Sequence, residues 1–325
     1  MRTLVTAFLA LVILTSAAQT IMAKTLRMSH MNPANSIESD LVEQVFIPYV
    51  EKNSDGRYTI DYYPGSALGN AETVVQGLLM GTIDLALDSS SNMDQFCPSL
   101  GVLDLPYLFQ GKDIPKLKAS AVGERLRKSG EPAGLHVIDM FSWFPRHLMS
   151  RVPLHTVEAI QGRKDRTTGN KWQMLGASAL GLKPIPIPAA EMLSAIQQGI
   201  VDCMDINLPS MLSFHIVDVA KHMTLTEHAQ VMGILLCSDE FWDDLSEADK
   251  QLFLNASAAY DAALVEAIRL KTDELVQSVR DAGVEVIILN DNETSKLKAL
   301  AQKNLDAALS GQDKEIVRQI REIVR

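Results

Sequence analysis

Short β-rich runs alternate with amphipathic helical runs along most of the chain, and this alternation indicates an α/β fold. In the first half, the pattern predicts strands at 24–31, 58–63 and 83–87 and helices at 37–52 and 71–80. The second half returns to the same order, as the following predicted elements show: a strand at 183–188, a helix at 190–198 and a strand at 201–205.

Two stretches of the pattern resemble each other closely. VVQGLLMGTIDLALDSS and MLSAIQQGIVDCMDINL both consist of a helix, a Gly, one residue, an Ile or Val, an Asp and an apolar strand. Continuing this register pairs Ser89 with Asn207, each at the carboxyl end of its strand, where open α/β sheets bind ligands. A duplicated domain explains the repeat, although helix–Gly–strand units also recur by chance in α/β proteins.

A helix-compatible stretch of about 36 residues, 246–281, contains neither Pro nor Gly. At ~1.5 Å per residue it would be roughly 50 Å long, which exceeds one small domain. It is either two helices with a kink or a spine across two domains, and we prefer the spine. The absence of a long Pro/Ser linker favours two domains joined by crossing strands.

The N-terminal residues are typical of a cleaved secretory signal, predicted here as residues 1–23. Arg2 precedes an apolar run from Leu4 to Leu14, which is too short to span a bilayer, and small residues follow it. Cleavage is predicted after Ala23, with Ala18 as the alternative. The sequence therefore predicts a soluble, exported protein located in the periplasm.

The charge balance restricts the possible partners. The chain has 30 Lys and Arg against 40 Asp and Glu, a net charge of −10. Nucleic acid and anionic membrane surfaces need a basic face, so neither is expected as a partner. Three cysteines are too few for a disulfide framework, and three free buried thiols are expected, with one bridge as the alternative.

Signatures of catalysis are scarce. There is no G-x-S-x-G elbow, P-loop or G-x-G-x-x-G, and the seven histidines do not occur at ligand spacing. No catalytic residue, metal or cofactor is therefore predicted.

Anion recognition has positive support in the segment GRKDRTTGNKW. Arg166 ends a short predicted strand, and Arg146 follows an aromatic residue and a proline in SWFPRHLMS. An arginine fork meets a carboxylate with two parallel hydrogen bonds. Asn170 can cap the following helix, and Asn207 could supply an uncharged donor. Arg163 and Lys164 are interpreted as solvated charges.

These residues and the segments around them resemble the DctP-like substrate-binding proteins of TRAP (tripartite ATP-independent periplasmic) transporters. The resemblance runs from about residue 24 to 287 and rests on YPGSALGNAETVVQGLLMGTIDLAL, GVLDLPYLF, GRKDRTTGN, AEMLSAIQQGIVDCMDINLPS and HMTLTEH followed by SDEFWDDLSEADK. Each segment is weak alone, but five in the correct order are specific.

The resemblance implies a clamshell of two α/β domains that closes over an organic acid. It assigns residues 24–143 and 232–271 to domain I, and 144–231 and 272–325 to domain II. The implied function is capture of a small carboxylate and its delivery to TRAP membrane subunits, by a protein that is not an enzyme and is expected to be a monomer. An exported enzyme or a sensor partner built on the same clamshell is the alternative.

In that family the carboxylate is bound by an arginine of a K-x-R-x-x-x-N element, here Arg166, and by a second arginine, here Arg146. The family's Glu-Asn pair corresponds to Asp205 and Ile206, so its asparagine role passes to Asn207 one position later. Asp165 also stands where the family usually has an apolar residue.

The solute's far end is expected to meet polar residues that follow two first-domain strands. They are Ser89, Ser90 and Asn92 after one strand, and His30 and Asn32 after the other. The alternative is that these residues simply form turns, which Ser and Asn favour.

Overall fold

The computed structural model describes residues 23–188 and 191–325, so the predicted signal lies almost wholly outside the described residues. These residues contain nine strands: β1 Lys24–His30, β2 Tyr58–Tyr63, β3 Leu85–Ser89, β4 Leu135–Ser150, β5 Lys164–Thr167, β6 Lys183–Pro186, β7 Cys203–Asn207, β8 His222–Ser238 and β9 Glu285–Ile288.

The α-helices of the described residues vary widely in length. They are α1 Ile37–Leu41, α2 Ile47–Asn53, α3 Ala71–Leu79, α4 Ser90–Met93, α5 Ile114–Lys118, α6 Ala121–Arg127, α7 Val157–Ile160, α8 Lys171–Ala179, α9 Met192–Gln197, α10 Leu208–Ser213, α11 Ile216–Val219, α12 Asp239–Asp244, α13 Glu247–Asp281, α14 Asp291–Ala308 and α15 Gly311–Val324. A π-helix, Val42–Phe46, joins α1 to α2, and 3₁₀ helices cover Pro98–Asp104, Gly111–Asp113 and Lys128–Ala133.

The strands form one continuous sheet in the order β2-β1-β3-β8-β4-β7-β5-β6, with β9 added on β8. The long antiparallel strands β4 and β8 occupy the centre and pair with each other from Leu135 opposite Ser238 to Ser150 opposite His222. We call β1 to β3 with their helices the first lobe, and β5 to β7 with theirs the second lobe. The crossing strands that the sequence predicts are therefore β4 and β8.

The two halves of the sheet mirror each other around this central pair. In the first lobe, the Asp84 carboxylate accepts a hydrogen bond from the Arg27 backbone N–H at 2.8 Å. In the second lobe, the Asp202 carboxylate accepts one from the Lys164 backbone N–H at 2.9 Å. The matched Asp residues thus have the same structural role, since each hydrogen-bonds the start of its own strand to the neighbouring parallel strand.

This role of the Asp residues explains an error in two strand boundaries. The sequence pattern places the strands at 83–87 and 201–205, whereas β3 and β7 each begin and end two residues later. In each case the Asp carboxylate bonds to the neighbouring backbone just before its own strand pairing begins. The glycines before them, Gly81 and Gly199, have φ of 67° and 74°, as expected of left-handed helix ends.

The long helix α13 spans both lobes, as the sequence predicts. Its first half buries Phe253, Tyr260 and Leu264 in the first-lobe core, and its end places Val279 in the second-lobe core. Within the described residues, no helix is long and apolar enough to cross a membrane. Cys97, Cys203 and Cys237 are buried and unbridged, which confirms the expectation of free thiols.

The C-terminal helices pack on different parts of the molecule. Helix α14 contacts α8 of the second lobe, whereas α15 contacts α5 and α6 and adds Ile316 and Ile320 to the first-lobe core. The division into 24–143 with 232–271 and 144–231 with 272–325 stays a prediction, and by its contacts α15 belongs with the first lobe.

Candidate functional site

A cavity of about 710 Å³ lies between the lobes, beside the carboxyl ends of β3, β5 and β7. This volume falls within the roughly 300–1,000 Å³ of typical small-molecule sites. Its lining combines three groups of described side chains: charged (Arg146, Arg166, Asp205, Glu38), polar (Asn32, Asn35, Ser36, Ser89, Ser91, Asn92, Thr168, Gln173, Asn207, Ser210, Ser213) and large apolar or aromatic (Met31, Ile37, Trp143, Met192, Ile206, Leu212, Phe214, Val231, Leu275).

Arg166 lies on β5, between two parallel neighbours, and its side chain is 8% exposed. Its Nε donates to the backbone carbonyl of Ile187 at 2.9 Å, and this bond fixes the plane of the guanidinium. Burial and the nearby Arg146 guanidinium lower the pKa of Arg166. The two guanidiniums repel each other, and an anion bound between them would offset this repulsion.

Arg146 lies on β4, where it pairs with Asn207 of β7 and with Ala229 of β8. Its Nη1 lies 3.6 Å from Asp205 Oδ1. Its Nε is buried and has no hydrogen-bond partner among residues 23–188 and 191–325. Arg146 therefore retains unused donor capacity at the cavity.

Buried acids lie next to the two arginines. Burial alone would raise the pKa of Asp205, but Arg146 and His228 outweigh it and lower this pKa to about 2. His228 Nε2 lies 3.2 Å from Asp205 Oδ1. Burial, together with the Asp205 charge, raises the pKa of Asp165 well above its usual range. Asp205 is thus the acid whose ionised form its neighbours stabilise, and it lies close to both guanidiniums.

Asn207 lines the cavity and also caps α10. Its side-chain oxygen accepts a hydrogen bond from the Ser210 backbone N–H at 2.9 Å. Its predicted counterpart, Ser89, caps α4 in the same way by accepting from the Asn92 backbone N–H at 3.3 Å. The capping roles leave the Asn207 amide N–H₂ and the Ser89 hydroxyl hydrogen as donors for a ligand.

Three of the five residues predicted for the first-domain wall line the cavity, namely Ser89, Asn92 and Asn32. Ser90 and His30 do not line it. Ser90 is fully buried, with its hydroxyl 3.3 Å from an Asp104 oxygen.

His30 is also fully buried. Its Nδ1 lies 2.6 Å from the Tyr62 hydroxyl and 3.1 Å from the Ser39 hydroxyl. Burial lowers its pKa to about 3, so its ring is neutral at ordinary pH. Both His30 and Ser90 are thus buried, although residues one or two positions away line the cavity.

The rest of the GRKDRTTGNKW segment supports the site from outside. Asn170 caps α8, accepting from the Trp172 backbone N–H at 2.8 Å, and its amide donates to the Ser91 carbonyl of the first lobe at 2.6 Å. Arg163 donates from Nε to the Ala159 carbonyl at 3.0 Å and does not line the cavity.

The residue patterns give no reason to select several of the lining residues, among them Trp143, Phe214, Met192 and Glu38. Trp143 is the last residue of the first segment assigned to domain I, and its ring packs against the backbone of Gly233. Glu38 lies in the first turn of the helix predicted at 37–52. Nothing in the local sequence distinguishes these positions from other positions of a helix or strand. Their place at the cavity becomes apparent only from the fold.

Comparisons with known proteins agree with this architecture. Residues 28–312 match the family model described as bacterial extracellular solute-binding protein, family 7. The chain is 28% identical over 246 residues to the 2,3-diketo-L-gulonate-binding periplasmic protein YiaO of Escherichia coli, covering 74% of each chain. It is 24% identical over 288 residues to the sialic acid-binding periplasmic protein SiaP of Vibrio cholerae, covering 88% of this chain and 89% of the other.

Solved structures show the same two-domain fold. A TRAP periplasmic solute-binding protein from Ochrobactrum anthropi superposes with a TM-score of 0.85 at 23% identity, covering 94% of this chain and 95% of that one. Another, from Polaromonas sp. JS666 and bound to D-erythronate, gives a TM-score of 0.78 at 28% identity, covering 91% and 98%. The chain belongs to bacterial extracellular solute-binding protein family 7, the DctP family of TRAP transporters, and it is a binding protein and not an enzyme.

Proposed function

We propose that this protein captures a small carboxylate between its two lobes in the periplasm and delivers it to the membrane subunits of a TRAP transporter. The observation that carries the proposal is the pair Arg146 and Arg166. They are the only cationic side chains among the described residues that line the cavity. An acidic protein can concentrate an organic anion only where local charge overrides its overall negative field.

The Arg166 side chain is assigned the main contact with the carboxylate. Its Nε is held by the Ile187 carbonyl, which leaves the two Nη groups to meet the two carboxylate oxygens in parallel. Arg146 adds a second charge, and Asp205 holds it at the site through their 3.6 Å contact. One anionic group would then lie between two guanidiniums, with Asn207 offering an uncharged donor beside them.

The far end of the solute would lie against the first-lobe wall. Ser89, Asn92 and Asn32 line this part of the cavity, whereas Ser90 and His30 would act only by supporting them. The relatives support an acidic solute, since one is described as bound to D-erythronate and another as binding 2,3-diketo-L-gulonate.

The cellular setting belongs to the same proposal. A signal at residues 1–23, cleaved after Ala23, would export the protein, which would then act as a monomer with the two-domain division given above. The mass of the protein recovered from the periplasm tests the cleavage site, and its mass in solution tests the monomer.

A thermal-shift screen of organic acids tests the main proposal. A carboxylate at 100 times its Kd adds ~2.7 kcal/mol of stability, which for about 300 residues raises the melting temperature by about 4 °C. Uncharged amides of the same acids serve as matched controls and should give no shift. A screen in which the amides stabilise the protein as well as the acids do would refute the role of the arginines.

A further inference from the structure

Among the described residues, the first-lobe wall of the cavity carries one carboxyl group, that of Glu38. Glu38 is 3% exposed and lies in the first turn of α1, two residues after the N-cap Ser36. It lines the same cavity as Arg146 and Arg166, but on the opposite lobe.

No cation among the described residues offsets the Glu38 carboxyl. Burial raises its pKa, and the groups that oppose this rise are all uncharged, namely its own backbone N–H, Ser36 and Asn32. By contrast, Asp205 on the other lobe faces both Arg146 and His228. The cavity thus has a cationic end and an acidic end.

The surroundings of Glu38 extend this polarity. A second cavity of about 470 Å³ adjoins the main one, shares Ser91, Asn92 and Thr168 with it, and is lined mostly by first-lobe residues. Its described lining includes Asp88, Asp94 and Glu72 and no Lys or Arg. A solute that reaches from the arginines toward the first lobe therefore meets uncharged polar groups and carboxyl groups, and no cation among the described lining residues.

We propose that Glu38 sets the charge selectivity of the cleft, so that the solute has a single carboxylate and a neutral or positively charged hydrogen-bond donor at its far end. A hydroxyl or an amine can donate to the Glu38 carboxyl. A second carboxylate would instead face a like charge in a poorly solvated place, and that repulsion rejects dicarboxylates. The inference rests on the proposed function, since it assumes that Arg146 and Arg166 bind the first carboxylate.

Pairs of acids that differ only at the far end provide the test. D-Erythronate and meso-tartrate differ by oxidation of one terminal CH₂OH to a carboxylate, and so do D-galactonate and galactarate. Titration calorimetry on the wild-type protein should show that each monocarboxylate binds at least about tenfold more tightly than its dicarboxylate.

Glu38→Gln keeps an acceptor of the same shape and removes the charge. It should bind each dicarboxylate about tenfold more tightly than the wild type does, so that the difference in affinity within each pair of acids largely disappears. Glu43→Gln makes the same charge change at an exposed position of the adjoining π-helix that does not line the cavity, and it should match the wild type. Melting curves of the three proteins establish that each is folded.

The outcomes separate the inference from the proposed function. Dicarboxylates that bind the wild type as tightly as their partners would overturn the inference but leave carboxylate capture intact. A preference that persists unchanged in Glu38→Gln would also overturn it, since the selectivity would then arise elsewhere. If none of the four acids bound the wild type, the inference would fail for these solutes together with the proposed function.

Discussion

Replacement of Arg166 should abolish binding with little effect on the stability of the empty protein. Arg166→Ala removes one partner of a desolvated charge pair, which costs ~2–5 kcal/mol, or roughly 30- to 4,000-fold in Kd. The empty protein loses the Nε bond to Ile187 and the attraction of Arg166 to the neighbouring acids, but it is also freed from the repulsion of the Arg146 guanidinium, which offsets part of that loss. Its free energy of unfolding should therefore change by less than about 1 kcal/mol.

Arg166→Lys separates charge from geometry. Lysine retains the positive charge, but it can neither donate an Nε–H to the Ile187 carbonyl nor present two parallel donors to a carboxylate. The affinity of Arg166→Lys for the acid should therefore fall nearly as far as that of Arg166→Ala. Arg163→Ala is the matched control, because Arg163 lies three residues earlier, outside the cavity, and should bind like the wild type.

Titration calorimetry with the best acid from the thermal-shift screen decides the matter. Near-wild-type affinity of Arg166→Lys would mean that charge alone suffices. Unchanged affinity of Arg166→Ala would refute the assignment of the carboxylate to this residue.

Three further predictions concern stability and motion. Burial raises the pKa of Asp88 to about 6, so the free energy of unfolding should fall by up to ~3 kcal/mol through this residue as pH rises from about 4 to 6. Urea unfolding of Asp88→Asn should lack this decrease, whereas the control Asp61→Asn, at an exposed position, should keep it. A pH profile of Asp88→Asn that matches the wild type would contradict the prediction. In Gly101→Ala the new Cβ would lie 2.0 Å from the Trp172 ring, so the free energy of unfolding should fall by about 1–3 kcal/mol. In the control Gly169→Ala the new Cβ has no atom within 4 Å, so the melting temperature should not change. Equal melting temperatures of the two variants would contradict this prediction. A saturating acid should make the protein more compact by X-ray scattering, and superimposable curves would rule out closure.

The scaffold could be predicted from sequence because periodicity and end signals are local. The strand at 58–63 and the spine at 246–281 agree with the structure to within one residue, and the helix predicted at 37–52 has the right outer bounds but is interrupted by the π-helix Val42–Phe46. Their apolar spacing, caps and glycines act within one element, and a single element is what a sequence pattern reports. The boundaries of β3 and β7 shifted by two residues because Asp84 and Asp202 bond to a neighbouring strand.

The lining of the cavity could be predicted only in part, and the reason is orientation. Arg166, Arg146 and Asn207 lie at strand positions that the sequence singles out, and all three line the cavity. His30 and Ser90 lie beside residues that do, but their side chains point into the interior. Selecting a loop by its polar composition does not say which of its side chains faces the cleft.

The repeat also explains why the two lobes can share a scaffold and yet differ in charge. The bonds from Asp84 to Arg27 and from Asp202 to Lys164 set the same register in both halves, and two residues further along each strand lie Ser29 and Arg166. The first half thus has a small buried hydroxyl at the position where the second half has its guanidinium. Backbone ties and caps are common to both lobes, whereas the charged side chains that they hold are not. The architecture therefore requires only that two such lobes face each other, and the cationic end of the cavity follows from residues that the repeat leaves free to vary.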